Sequence, residues 1–404
     1  MSHNDYKYKP RILFISHSGD LYGAERSLLT LLRGMKQLGT YEILVFIPGD
    51  GPLSEACDEE DVPFRIIPFE RWIGLRYHAA ARFYRIIINR LRIGRLVREA
   101  ERWMPDVIYS NTIATPVGAM LARRLTPAPL HVWHARELPG HRSAGFGLFD
   151  YGMKASLSVM ARSSDCFICN SRFLHDRLEP GLQRALGSRG ALRTEIVYNG
   201  LDIVDRASGM AGHPDKDPDS PIRLMMAGGI SPVKNYEEAV EAVGILVRSG
   251  FSVELDIYGS GADRDQLKLR KKIEDSGLEK HVQLMGYRSN LASGFGRADM
   301  LLITSKMETF GRVAVEAMLA GCPVISSDAG ALPEIVKDGE TGLNYCLGDP
   351  EHLARQIRQL AESPVLRKTL MERAHEYART RFSTERLVSD IDRILQELLA
   401  QRNK

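Results

Sequence analysis

The stretch SKMETFGRVAVEAMLAGCPVIS, residues 305–326, holds two glutamates, Glu308 and Glu316, separated by seven residues. Glu308 precedes a Phe310-Gly311 turn. Glu316 is the only charge in the run Val313–Ala320. That run favours a mostly buried helix, stopped by Gly321 and Pro323. A carboxylate buried on such a helix is costly unless something hydrogen-bonds it. The helix start at Phe310-Gly311-Arg312 offers backbone N–H groups and a partial positive charge, which suit an anion. One short segment thus offers a phosphate site, an acid beside it and a second acid further in. The alternative is an ordinary helix after a strand, with Glu316 solvated.

Other candidates lie upstream. Glycine-bearing loops follow several apolar runs: Gly228-Gly229, Gly259-Ser260-Gly261 and Gly286. Ligands of open α/β sheets bind outside the carboxyl ends of the strands, where glycine permits close backbone approach. Lys234 follows Gly228-Gly229-Ile230-Ser231-Pro232 and can act as a point charge on a phosphate. Their convergence on one sheet edge with Glu308 and Glu316 points to a nucleotide-diphosphate ligand.

The elements that must position these residues alternate. In the first half, strands are predicted at Arg11–Ser16, Glu42–Ile47, Phe64–Ile67, Val107–Ser110, Leu130–Trp133, Cys166–Cys169 and Glu195–Val197. Helical stretches separate most of them, beginning with Ala24–Leu38 after a turn containing Gly19 and Gly23. A Gly-, Pro-, Asp- and Ser-rich linker runs from Asn199 to Ser220. Strands then follow at Arg223–Ala227, Val253–Tyr258, Val282–Met285, Met300–Ile303, Pro323–Ser326 and Leu343–Tyr345. Helices are predicted at Tyr236–Arg248, Ala262–Asp275, Thr309–Ala320 and Glu351–Leu360. Such alternation predicts two doubly wound α/β domains with largely parallel sheets. The boundaries expected are 1–200 and 201–382, with a C-terminal helix near 383–404 returning to the first domain.

The stretch Arg71–Arg102 stands apart. It carries nine arginines interleaved with Trp72, Tyr77, Phe83, Tyr84 and aliphatic residues. A basic, aromatic-bearing amphipathic helix can lie in a membrane interface; an anionic membrane surface is the partner expected for 71–102. The alternative is a solvated helix packed on the sheet. The net charge of +3 is too small for general nucleic-acid binding. Five scattered cysteines fit a reducing compartment, and Cys166-x-x-Cys169 reads as packing within a strand. The polar N-terminus does not read as a signal peptide. No uncharged apolar run reaches the roughly 18 residues of a membrane span. A cytoplasmic protein, peripheral on the inner face of the membrane, is expected.

These motifs resemble retaining glycosyltransferases of family 4, which have the GT-B fold of two Rossmann-like domains facing across a cleft. The resemblance runs from GDLYGAERSLLTLL through YNGLD, ISPVKN and YGSG to ETFGRVAVEAMLAGCPVISSDAGALPEIVKDGETGL. It implies that Glu316 binds the ribose hydroxyls and Glu308 faces the donor sugar. The backbone of Phe310, Gly311 and Arg312 would hold sugar and diphosphate. Lys234 would neutralise the leaving diphosphate, Gly229 and Gly259 would lie by the donor, and Gly23 would line the cleft. His134, in HVWHARELP, matches a family histidine near the reacting sugar. Gly229 stands where the family often has a phosphate-binding arginine, and Arg312 is the candidate replacement.

The expected activity is sugar transfer, with retention, from a UDP- or GDP-sugar to an acceptor hydroxyl on a saccharide, lipid-linked or of the cell envelope. No cofactor is expected. Asp263-x-Asp265 and Asp390-x-Asp392 have the spacing of a metal-binding pair but sit in or beside charged helical segments, so no metal is expected either. The alternatives are a nucleotide-sugar epimerase or phosphorylase of the same fold, and a non-catalytic sugar-nucleotide-binding protein.

Overall fold

The structure, a computed structural model, describes residues 8–74, 79–139, 148–202, 220–288 and 290–402. Most of the predicted linker, and Leu75, Arg76 and Tyr77 of the arginine-rich stretch, lie outside them. The chain forms two compact α/β units. One comprises the described residues up to Gly200 with Thr384–Arg402; the other is Leu201–Ser383.

The first unit is built on a seven-stranded parallel sheet in the order β3-β2-β1-β5-β6-β8-β9. Its strands are β1 Arg11–Ile15, β2 Glu42–Ile47, β3 Phe64–Ile66, β5 Val107–Ser110, β6 Leu130–Ala135, β8 Cys166–Cys169 and β9 Arg193–Ile196. Two-residue strands β4 Ile73–Gly74 and β7 Leu148–Phe149 pair antiparallel beside it. Runs such as RILFI and CFIC are apolar on both faces because helices cover both faces of a parallel sheet. Cys166 and Cys169 pack inside it, and burial pushes the Cys166 thiol up to about 12. Helix Thr384–Arg402 places Leu387, Ile391, Ile394, Leu395 and Leu398 in this core.

The arginine-rich stretch is not one helix. Ile73–Gly74 is extended, and the helix runs Ala79–Trp103. Trp72 is buried, stacked on Trp133 and edge-on to Phe149, so it belongs to the core and not to an interfacial face. Arg85 bonds Asp150, and Arg92 lies 3.7 Å from Glu70. Phe83, Tyr84, Ile87 and Leu91 are exposed, at positions that line one face of the helix. Arg90, Arg95 and Arg98 are exposed along the same side.

The second unit holds a six-stranded parallel sheet in the order β12-β11-β10-β13-β14-β15. The strands are β10 Ile222–Ala227, β11 Val253–Tyr258, β12 Val282–Gly286, β13 Met300–Ile303, β14 Val324–Ser327 and β15 Leu343–Tyr345. In chain order within the unit this is 3-2-1-4-5-6, with the direction of winding reversing between β10 and β13. The loops leaving those two strands therefore diverge to opposite sides and open a crevice at the carboxyl edge. A further helix, Pro364–Arg381, is absent from the periodicity reading. Its polar and apolar residues are spread around the axis, and it is started by Ser363, whose hydroxyl accepts from the Leu366 N–H.

Candidate active site

In the second unit the two loops flanking the β10/β13 crevice are tied together by backbone. Lys306 N–H donates to the Val233 carbonyl at 2.7 Å. The Thr304 hydroxyl lies 2.8 and 2.9 Å from the Lys234 and Asn235 carbonyls. This brings Lys234, on the β10 loop, onto Glu308, on the β13 loop, where the ammonium donates to Glu308 Oε1. The Ser305 hydroxyl donates to the same oxygen at 3.0 Å, and Ser305 is itself held through its carbonyl by Ser327 Oγ at 2.7 Å. Both charged side chains keep partial solvent access. The arrangement is a cation that an incoming anion can claim, next to an anion that would be released.

Gly330 completes the placement of Glu308 and was not among the residues singled out from sequence. A Cβ there would lie 2.4 Å from the Glu308 carbonyl oxygen and 2.6 Å from its nitrogen, and Gly330 has φ +65°. Ala331 N–H donates to that carbonyl at 2.9 Å. The available signal was the glycine in DAGALPE, whose backbone requirement becomes visible only with its neighbour in place. Gly259 is held close to a neighbouring loop. A Cβ there would lie 1.9 Å from the Gly228 carbonyl, so Gly259 lets the β10 and β11 loops touch each other. Gly229 is exposed.

Helix Arg312–Leu319 starts after Gly311, which is left-handed at φ 91°. The Phe310 ring is turned into the core, edge-on to Phe382 at 5.5 Å, so only its backbone is available to a ligand. Glu316 is less buried than its apolar neighbours imply. Its side chain is 26 % exposed and accepts from Arg312 Nε at 2.9 Å, one turn away on the same helix. The helix buries Ala314, Val315, Ala317, Met318 and Leu319 and turns Glu316 to the side that stays partly open.

In the first unit, Gly23 opens helix Gly23–Leu38 and is exposed, with open space where a Cβ would stand. His134 is in strand β6, which extends past the predicted end, and is wholly buried. Its Nδ1 lies 2.6 Å from the Tyr109 hydroxyl and 3.4 Å from Arg136 Nη2. Burial, then the Arg136 charge, holds its pKa well below the usual histidine value. Close to the same carboxyl edge, His17 Nδ1 lies 3.0 Å from buried Glu25, off the alignment of a hydrogen bond. Glu137 is also buried, accepting from Ile113 N–H at 3.3 Å. Desolvation raises the Glu137 pKa, Glu25 adds to the rise, and His17 opposes it. Sequence reading missed His17, Glu25, Arg136 and Glu137. The one available signal was an acid on the inner face of a helix otherwise lined by Leu28, Leu31 and Leu32.

The family description "Glycosyl transferases group 1" matches residues 214–381, and "Glycosyltransferase Family 4" matches residues 22–204. The chain is 30% identical over 270 residues to the lipopolysaccharide core biosynthesis glycosyltransferase LpsE of Rhizobium meliloti, covering 66% of this chain and 74% of that one. It is 26% identical over 295 residues to a glycogen synthase of Mycobacterium tuberculosis, covering 72% and 66%. The solved structure of Anabaena Alr3699/HepE in complex with UDP-glucose matches with a TM-score of 0.76 at 23% identity, covering 96% of this chain and 99% of that one. The two parallel-sheet units are those of the GT-B fold. The chain belongs to the group 1, family 4 glycosyltransferases and is a glycosyltransferase of GT-B type.

Proposed function

We propose that this glycosyltransferase moves a hexose from a nucleotide diphospho-sugar to an acceptor hydroxyl with retention of anomeric configuration. The observation that carries the reading is the Lys234–Glu308 pair at the winding reversal of the second sheet, beside the start of helix Arg312–Leu319. A diphosphate takes Lys234, which with the helix N-terminus stabilises the leaving charge without a metal. Glu308, released, faces the sugar carbon as it becomes electron-poor. Glu316 grips the ribose hydroxyls, and the backbone of Phe310, Gly311 and Arg312 holds sugar and diphosphate. The lipopolysaccharide-core role of the LpsE relative supports a saccharide acceptor, and the HepE complex supports a UDP-sugar donor.

The same reading includes a peripheral contact with an anionic membrane on the first unit, which favours a lipid-linked acceptor. Exposed Phe83, Tyr84, Ile87 and Leu91 supply an apolar strip, and Arg90, Arg95 and Arg98 supply charge for anionic headgroups. Among the described residues no helix is long and apolar enough to cross a membrane.

The test is a thermal-shift panel of UDP- and GDP-sugars, followed by transfer assays with the ligand that raises the melting temperature. Transfer to a saccharide with retained configuration is expected. Release of nucleotide that is stoichiometric with an epimerised sugar, without any acceptor, would overturn the assignment in favour of an epimerase.

A further inference from the structure

Glu238 is a buried carboxylate, 5 % exposed, on the first turn of helix Tyr236–Arg248 in the second unit. Its two oxygens take different donors. Oε1 accepts from the Gly348 N–H at 2.6 Å, in the loop after β15, and Oε2 accepts from the Asn235 side-chain amide. Asn235 is the N-cap of that helix, yet its side chain caps none of the helix N–H groups. An N-cap residue is ordinarily extended. Asn235 is instead left-handed, at φ 53° and ψ 42°. Glycine takes that conformation freely, and other residues take it at a cost that their surroundings must offset.

Lys234 is the residue immediately before this turn, and its ammonium is the one that reaches Glu308. The Lys234-Asn235 segment is held from two sides. Thr304, on the β13 loop, donates to both backbone carbonyls, and Glu238 takes the Asn235 side chain. The second hold is costly, since burial raises the Glu238 carboxyl pKa and the Gly348 N–H only opposes that rise. An aliphatic side chain at this buried position would serve the core without that cost. We propose that Glu238 is a positioning residue: through Asn235 it holds the left-handed turn that presents the Lys234 ammonium at the β10/β13 crevice, where it takes a nucleoside diphosphate. The identity of that anion rests on the glycosyl-transfer reading; the positioning of Lys234 does not.

The experiment is a double-mutant cycle on the full chain, read by calorimetric affinity for UDP and by melting temperature. Glu238→Gln keeps the shape but leaves one oxygen for two donors. UDP affinity should fall about 10-fold, the worth of one hydrogen bond to a charged group. In a Lys234→Ala background the same substitution should change UDP affinity by less than about 2-fold, because no ammonium is left to place. Asn235→Asp breaks the contact from the other side by facing two carboxylates, and should also lose about 10-fold. Combining Asn235→Asp with Glu238→Gln exchanges donor and acceptor. The glutamine amide then donates to the aspartate, its oxygen accepts from Gly348, and aspartate tolerates the left-handed backbone. That exchanged pair should bind UDP within about 3-fold of the unmodified protein. Equal losses with and without Lys234, no recovery in the exchanged pair, or a lower melting temperature with intact UDP affinity overturns the proposal. If the unmodified protein binds neither UDP nor GDP, the glycosyl-transfer reading fails, and a crystal structure of Glu238→Gln decides the positioning. Lys234 displaced from Glu308 upholds it, and an unchanged pair overturns it.

Discussion

Lys234 donates to the Glu308 carboxylate across loops that leave adjacent central strands, from positions 74 residues apart in sequence. The pair sets up a competition: a diphosphate that binds Lys234 must displace Glu308. Glu308→Gln removes the competing anion. Calorimetry should show nucleotide-diphosphate affinity unchanged or tighter, while the single-turnover transfer rate falls about 100-fold. Weaker nucleotide binding in this variant would reverse the roles of the two glutamates.

Glu316 and Arg312 form a part-exposed pair one helical turn apart, an arrangement that contributes about 0.5 kcal/mol or less. Glu316→Ala should therefore leave the denaturation midpoint almost unmoved. Affinity for donor and for free nucleotide should fall together, by roughly 1–3 kcal/mol if the carboxylate grips the ribose. A large loss of stability with intact nucleotide affinity would make Glu316 structural.

Gly330→Ala forces a methyl group against the Glu308 backbone, 2.4 Å from its carbonyl oxygen, at a φ of +65° that disfavours alanine. Turnover should drop as the Glu308 backbone, and with it the carboxylate, is moved from its place in the site. Melting temperature and single-turnover rate measured together are the check, and normal turnover would show that the position of Glu308 is not critical.

The arginines of helix Ala79–Trp103 divide into two groups. Arg85 bonds Asp150, whose side chain is only 3 % exposed, so Arg85→Gln strands a buried carboxylate and should cost about 3–5 kcal/mol of stability. Replacing Arg90, Arg95 and Arg98 together by Gln should leave the melting temperature within a few degrees. It should also abolish low-salt sedimentation with anionic liposomes, since each basic group near such a surface contributes about 1 kcal/mol. Unchanged sedimentation, or none by the unmodified protein, would remove the membrane from the proposal.

Transfer activity should survive excess chelator, because a lysine and a helix N-terminus are the cations assigned to the leaving group. Activity lost to chelator and restored by magnesium or manganese would contradict that assignment.

The sequence by itself determined the parallel sheets. Runs such as RILFI, CFIC and MLLI are apolar on both faces, and a strand buried on both sides has few other places to go. It also determined that the β13 loop and the helix after it carry the acids, because an acid inside Val313–Ala320 and a glycine turn before it are local features. Tertiary structure alone decided which groups meet. Lys234 reaches Glu308 because β10 and β13 are neighbours at the winding reversal, a pairing no local pattern encodes. The partial exposure of Glu316 depends on which side of its helix the sheet covers. Which arginines form ion pairs depends on where Asp150 and Glu70 fold. The buried set of His134, Tyr109 and Arg136 is assembled from the ends of adjacent strands. Only three-dimensional placement brings these groups together.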